Sequence, residues 1–162
     1  MEKAQFNLVE VLEMAKEIEK KGKDFYTFYA EKTDKGDLKE LFLRLAGDEK
    51  EHYQKFDELS KQAKKEADQK IAYIYDKEVS AYLRSLVEFS IFPSREEEEK
   101  ELPDLENLNE VFNLAIMAEK ESILFYQEMK EHDRGASADI LQVLIEEEKQ
   151  HLLDLTAYQH QL

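Results

Sequence analysis

Apolar side chains recur every three or four positions over most of the chain. Leu8, Val11, Leu12, Ala15, Ile18, Gly22, Phe25 and Tyr29 fall on one stripe, the period of an amphipathic helix. Asn7 with Glu10 three residues on has the form of an N-terminal capping box, so the first helix is predicted over 7–32. Asp34-Lys35-Gly36 supplies a turn. A second stripe, Leu38, Leu41, Phe42, Leu45, Phe56 and Leu59, predicts a helix over 37–67. Residues 68–106 break the pattern. They hold both prolines, Pro93 and Pro103, and the run Arg95-Glu96-Glu97-Glu98-Glu99, which reads as solvated surface. Val79, Tyr82, Leu83, Leu86 and Val87 predict a short crossover helix within them.

The first pattern then restarts. Asn7, Leu8, Glu10, Val11, Ala15, Glu19, Lys20, Phe25 and Tyr26 reappear 100 positions later as Asn107, Leu108, Glu110, Val111, Ala115, Glu119, Lys120, Phe125 and Tyr126. Beyond Tyr126 the offset becomes 99: Asp34-Lys35-Gly36 matches Asp133-Arg134-Gly135, and Leu45, Glu49, Lys50 and His52 match Leu144, Glu148, Lys149 and His151. Helices are predicted over 107–132 and 137–159. The chain is thus two copies of one helical hairpin joined by a long connection. The expected fold is all-α, a single four-helix bundle over 1–162 with 68–106 as its crossover.

Two of the four histidines belong to Glu-x-x-His pairs, Glu49/His52 and Glu148/His151. Residues i and i+3 share a helix face, and here that face is the apolar stripe. Glu19 and Glu49 each lie 15 residues from Asp34, and Glu119 and Glu148 lie 14 and 15 from Asp133. At 1.5 Å rise per residue each carboxylate sits ~22 Å from its turn. If the hairpins pack at matching depth, Glu19, Glu49, Glu119, Glu148, His52 and His151 converge at mid-bundle. Four buried carboxylates are prohibitive without compensation, and two divalent cations balance their charge. Oxygen and imidazole donors without thiolate suit iron or manganese. A lone histidine on such a stripe is more often an ordinary core residue, and a lone Glu19 a surface acid; the paired, level arrangement favours ligation.

Composition narrows the partners. Net charge is −15, from 38 acids against 23 bases, so no basic face is available for nucleic acid. No window approaches a membrane span, and the N-terminal residues lack the apolar core of a signal peptide, so a cytoplasmic location is expected. With no cysteine there is no disulfide, zinc ribbon or iron–sulfur centre within the chain.

Glu19-x-x-Gly22-x-x-Phe25-Tyr26, Glu49-x-x-His52, Glu119 with Phe125-Tyr126, and Glu148-x-x-His151 together resemble the rubrerythrin branch of the ferritin-like di-iron carboxylate superfamily. The resemblance covers essentially the whole chain. It implies two Fe ions (Mn or Zn possible as isolated) reacting with hydrogen peroxide or O2. Glu19, Glu49 and His52 would hold one side, and Glu119, Glu148 and His151 the other. Glu49 and Glu148 would bridge, with Glu19 and Glu119 terminal. Tyr26 and Tyr126 are the candidate catalytic side chains, since in the family such tyrosines hydrogen-bond the ligands; plain core packing is their alternative. Two departures stand out. Ser122 occupies the place of an extra rubrerythrin glutamate on the third bundle helix. The chain also lacks the family's frequent rubredoxin domain, so a separate redox protein such as a rubredoxin would supply electrons. A homodimer is expected.

Asp48 and Glu147 precede the bridging glutamates. Each could accept the free imidazole N–H of the histidine on the other hairpin, or be a solvated edge. Gly22 could permit close helix approach or leave room for an oxidant. His132 and His160 lie at helix ends without a partner at ligand spacing. The competing functions are iron storage in a ferritin-type cage, oxygenation of an organic substrate, and a metal-free interaction module.

Overall fold

The computed structural model describes residues 5–67, 75–88, 102–133 and 137–162. Five α-helices account for most of them, with no strand among the described residues: α1 Leu8–Lys32, α2 Gly36–Ala67, α3 Lys77–Glu88, α4 Leu108–His132 and α5 Ser137–Gln159. Helices α1, α2, α4 and α5 form the bundle. The crossover helix α3 sits where the Val79–Val87 pattern predicts it, with Leu83 fully buried but Tyr82 exposed. Pro93 and the acidic run 95–99 lie outside the described residues, as do Arg134 and Gly135 of the second turn.

The start of α1 follows local chemistry. Asn7 Oδ1 accepts from the Glu10 N–H, and Glu10 Oε2 accepts from the Asn7 N–H, both at 2.9 Å. These bonds satisfy donors that a helix start otherwise leaves open. The duplicate start at Asn107 differs. A single 3₁₀ turn, Leu105–Asn107, leads into α4, and Asn107 makes no side-chain cap. The first turn is also one residue shorter than predicted: α2 begins at Gly36, whose φ is not positive, so no left-handed residue is needed there.

Two apolar clusters flank a polar middle. One gathers Phe25, Tyr29, Leu38 and Phe42 from the first turn's end with Val111, Phe112, Ala115 and Leu155 of the other hairpin. The second gathers Val11, Leu12, Ala15 and Phe56 with Phe125, Met129, Leu141 and Leu144. Each hairpin's turn therefore lies beside the open end of the other. Helix α3 is tied to this second end: Ser80 Oγ accepts from the Phe6 N–H at 3.0 Å and donates to the Tyr75 carbonyl.

Candidate metal centre

Between the two clusters the bundle buries Glu19, Glu49, Glu119, Glu148, His52 and His151, none more than 3 % exposed. Each comes from the stripe that period and depth counting picked out: Glu19 from α1, Glu49 and His52 from α2, Glu119 from α4, Glu148 and His151 from α5. Matching depth brings all six together. They fall into two overlapping sets, Glu19, Glu49, His52, Glu148 and Glu49, Glu119, Glu148, His151, with donor atoms in each within 4.8 Å of one another. Glu49 and Glu148 belong to both sets. The imidazole rings stack, with centroids 5.6 Å apart.

Both histidines turn Nδ1 inward. His52 Nδ1 is 3.1 Å from Glu148 Oε1 and 3.5 Å from Glu19 Oε2. His151 Nδ1 is 3.1 Å from Glu148 Oε2 and 3.2 Å from Glu49 Oε1. Both Nε2 atoms face outward onto carboxylates of the opposite hairpin: His52 Nε2 lies 2.6 Å from Glu147 Oε2, and His151 Nε2 lies 3.1 Å from Asp48 Oδ2. An ionised carboxylate can only accept, so Nε2 carries the proton. A neutral ring so held presents the Nδ1 lone pair to the interior.

The tyrosines cross between hairpins too. Tyr26 Oη donates to Glu119 Oε1 at 2.5 Å, and Tyr126 Oη donates to Glu19 Oε1. Burial first, then the charges of the cluster, pushes both phenols well above their ordinary range, so both keep their protons. Gly22 resolves the choice left open by its sequence. A Cβ there would stand 2.7 Å from Glu49 Oε2, so the missing side chain is the room that Glu49 occupies. At the duplicate position Ser122 is buried and turns its hydroxyl back to the Ala118 carbonyl at 3.1 Å. Gly47 has open space around it, and nothing in the structure explains it.

Without a cation the cluster balances its charge with protons. Burial and the neighbouring carboxylates push Glu49 well above the carboxylate range, and burial with Glu148 raises Glu119 to about 8. For Glu19 burial is outweighed by His52, which holds its carboxyl below the ordinary value. Burial works against charge on the imidazoles too, yet Glu148 and Glu19 raise His52 to about 11, and Glu119, Glu148 and Glu49 raise His151 further. Even so, Glu19 Oε2 and Glu49 Oε1 are buried without a hydrogen bond. Such orphans are rare. Buried oxygens without hydrogen bonds, inward Nδ1 atoms that would give up their protons on binding a cation, and two shared carboxylates are what a pair of divalent cations requires. The residues fit a di-metal centre.

One histidine differs from expectation. His132 is half-buried and lies 3.3 Å from Glu128 Oε1 one turn back, a neighbour the search for Glu-x-x-His spacing passes over. His160 is exposed.

Comparison with known proteins bears on the family and the fold. A family model described as Rubrerythrin matches residues 10–158. Among curated proteins, none matches the chain significantly. Among solved structures, a Thermotoga maritima protein described as ferritin-like and diiron-carboxylate is similar at 26 % identity, with a TM-score of 0.70 and 96 % of each chain covered.

Proposed function

This chain belongs to the rubrerythrin family, and from that premise we propose that it is a non-haem di-iron oxidoreductase that reduces hydrogen peroxide or O2 with electrons from a separate donor protein. The observation that carries the reading is the pair of overlapping donor sets sharing Glu49 and Glu148. Glu19, Glu49, Glu148 and His52 would hold one iron, and Glu119, Glu148, Glu49 and His151 the other. Two ferrous ions held together supply the two electrons that O–O cleavage consumes.

The protein's own groups set the conditions. Glu147 and Asp48 fix ring orientation and tautomer, so the donor nitrogens are in place before anything binds. Tyr26 and Tyr126 each tie one oxygen of a terminal glutamate, leaving the other facing inward. The flanking apolar clusters keep bulk water out, which strengthens every electrostatic interaction at the centre.

A groove of about 400 Å³ between α2 and α5 is lined by Leu59, Ile140 and Val143 among others, and contains none of the six donors. The test is anaerobic Fe(II) loading followed by peroxide. Two ions per chain and stoichiometric oxidation to Fe(III) are expected; uptake of fewer than two, or no oxidation, overturns the reading.

A further inference from the structure

Four aromatic rings run in file from the centre towards the end of α5. Tyr26, bonded to Glu119, has its ring 5.9 Å from that of Phe42 at an interplanar angle of 25°. Phe42 lies 5.7 Å from Phe112, and Phe112 stacks on Tyr158 at 5.2 Å and 2°. The first three are fully buried. Tyr158 is half-buried and has Asp37 beside its hydroxyl.

The internal repeat is a control for this file. The corresponding places in the other half are Tyr126, Leu141, Leu12 and Leu59. Leucine fills the core there, so packing alone does not demand rings at three successive places. The chain has neither tryptophan nor cysteine, which leaves the phenol as its most readily oxidised side chain. Closely spaced rings also couple two phenols electronically better than aliphatic carbon does.

We propose that Tyr26, Phe42, Phe112 and Tyr158 carry a one-electron oxidising equivalent outward, so that a half-reduced centre still reduces peroxide completely. This rests on the function proposed above. Hydrogen peroxide needs two electrons and two protons to become two waters. With one ferrous ion supplying a single electron, the second comes from Tyr26, which is restored by an electron from Tyr158 across Phe42 and Phe112. The phenylalanines only bridge the gap and are not themselves oxidised. In the net step one ferrous ion becomes ferric and the Tyr158 phenol loses one electron and one proton. The solvent supplies the remaining proton, and no hydroxyl radical is released. The neutral Tyr158 radical is left where an external one-electron reductant, or a second such radical, can reach it.

The experiment compares protein loaded anaerobically with one or two Fe(II) per chain, each given one equivalent of hydrogen peroxide. Iron oxidation is followed by absorbance. Tyrosyl radical is followed by freeze-quench paramagnetic resonance, and dityrosine by fluorescence and peptide mapping. At one Fe(II), a radical and a cross-link at position 158 are expected, severalfold stronger than at two. Tyr158→Phe should remove the cross-link, leave the radical on buried Tyr26 with a changed paramagnetic-resonance splitting, and leave iron oxidation at two Fe(II) unchanged. Phe112→Leu, which installs the residue of the other half, should lower both signals at position 158 severalfold. Iron oxidation without a tyrosyl radical, or signals unchanged in Tyr158→Phe, overturns the relay and leaves the oxidoreductase standing. Failure to oxidise iron at all overturns both.

Discussion

The two hairpins agree inside and disagree outside. Their buried halves of the centre correspond donor for donor, down to the crossed contacts of Tyr26 with Glu119 and Tyr126 with Glu19. On the outer face, Met117, Leu124, Val143 and Leu153 of α4 and α5 are 44–62 % exposed. The first hairpin has Glu17, Asp24, Arg44 and Gln54 at those places. Interhelix stitching differs likewise. Lys16 pairs with Asp57 at 2.9 Å and lies over the Tyr53 ring; the duplicate places hold Ile116, Thr156 and Leu152. Glu13 accepts from Ser60 Oγ at 2.7 Å, whereas in the second hairpin Gln159 Nε2 donates to Asn113 Oδ1 at 2.7 Å. The same register is held once by charge and once by neutral groups. Surface contacts are worth little each and are interchangeable, whereas buried donors are not, because every change there leaves a charge uncompensated.

The sharpest way to break the agreement is at the shared glutamates. Glu49→Ala or Glu148→Ala should empty both halves, while Glu19→Ala or Glu119→Ala should weaken its own half more. Metal titration by calorimetry distinguishes the two patterns; equal losses from all four would refute the bridging roles. Next come the outward partners. Asp48→Ala and Glu147→Ala should each weaken metal binding by about 10–100-fold, and unchanged affinity would show that ring orientation does not depend on them.

A smaller effect separates Gly22 from Ser122. Gly22→Ala forces a methyl against Glu49, and overpacking of this kind costs about 1–3 kcal/mol. Up to ~1 kcal/mol returns through helix propensity in the metal-free protein. Metal affinity should fall about tenfold, with a net loss of up to ~2 kcal/mol in metal-free stability. Ser122→Ala, losing only a bond to its own helix, should leave affinity in place. The reverse ranking would sink the account of Gly22.

Acidity probes both halves together. Glu119 is raised from 4.5 to about 8 and His52 from 6.5 to about 11. A raised folded-state value stabilises fully below the unfolded value and is lost as pH climbs through the folded one. The melting temperature of metal-free protein should therefore fall between about pH 4.5 and about pH 11, first through Glu119 and then through His52. Glu19, lowered, acts in the opposite sense but below that window. Cation binding should release protons and flatten the fall; a metal-free melting point that rises over this range would contradict the cluster's electrostatics. The smallest difference is at the caps. Asn7→Ala should cost about 1 kcal/mol, while Asn107→Ala, which removes no cap bond, should cost less in thermal denaturation.

The helices were legible because each needs only its own stripe, and their observed bounds depart from the predicted ones by a residue or two. The convergence of six donors was legible because depth along a hairpin is counted in residues from its turn. The file of rings to Tyr158 was not legible, since Phe42, Phe112 and Tyr158 are ordinary stripe residues until their helices meet. Nor was the neighbour of His132, whose four-residue spacing to Glu128 differs from the ligand motif.

By itself the sequence determined which residues face inward and at what depth, because helical period and rise are local properties of the backbone. Only the tertiary structure decided which partners those residues meet across the bundle. Gly22 against Glu49, Tyr26 against Glu119 and the aromatic file to Tyr158 depend on how far each helix is rotated and how closely it approaches its neighbour. Packing of the whole core fixes those quantities, and no single segment encodes them.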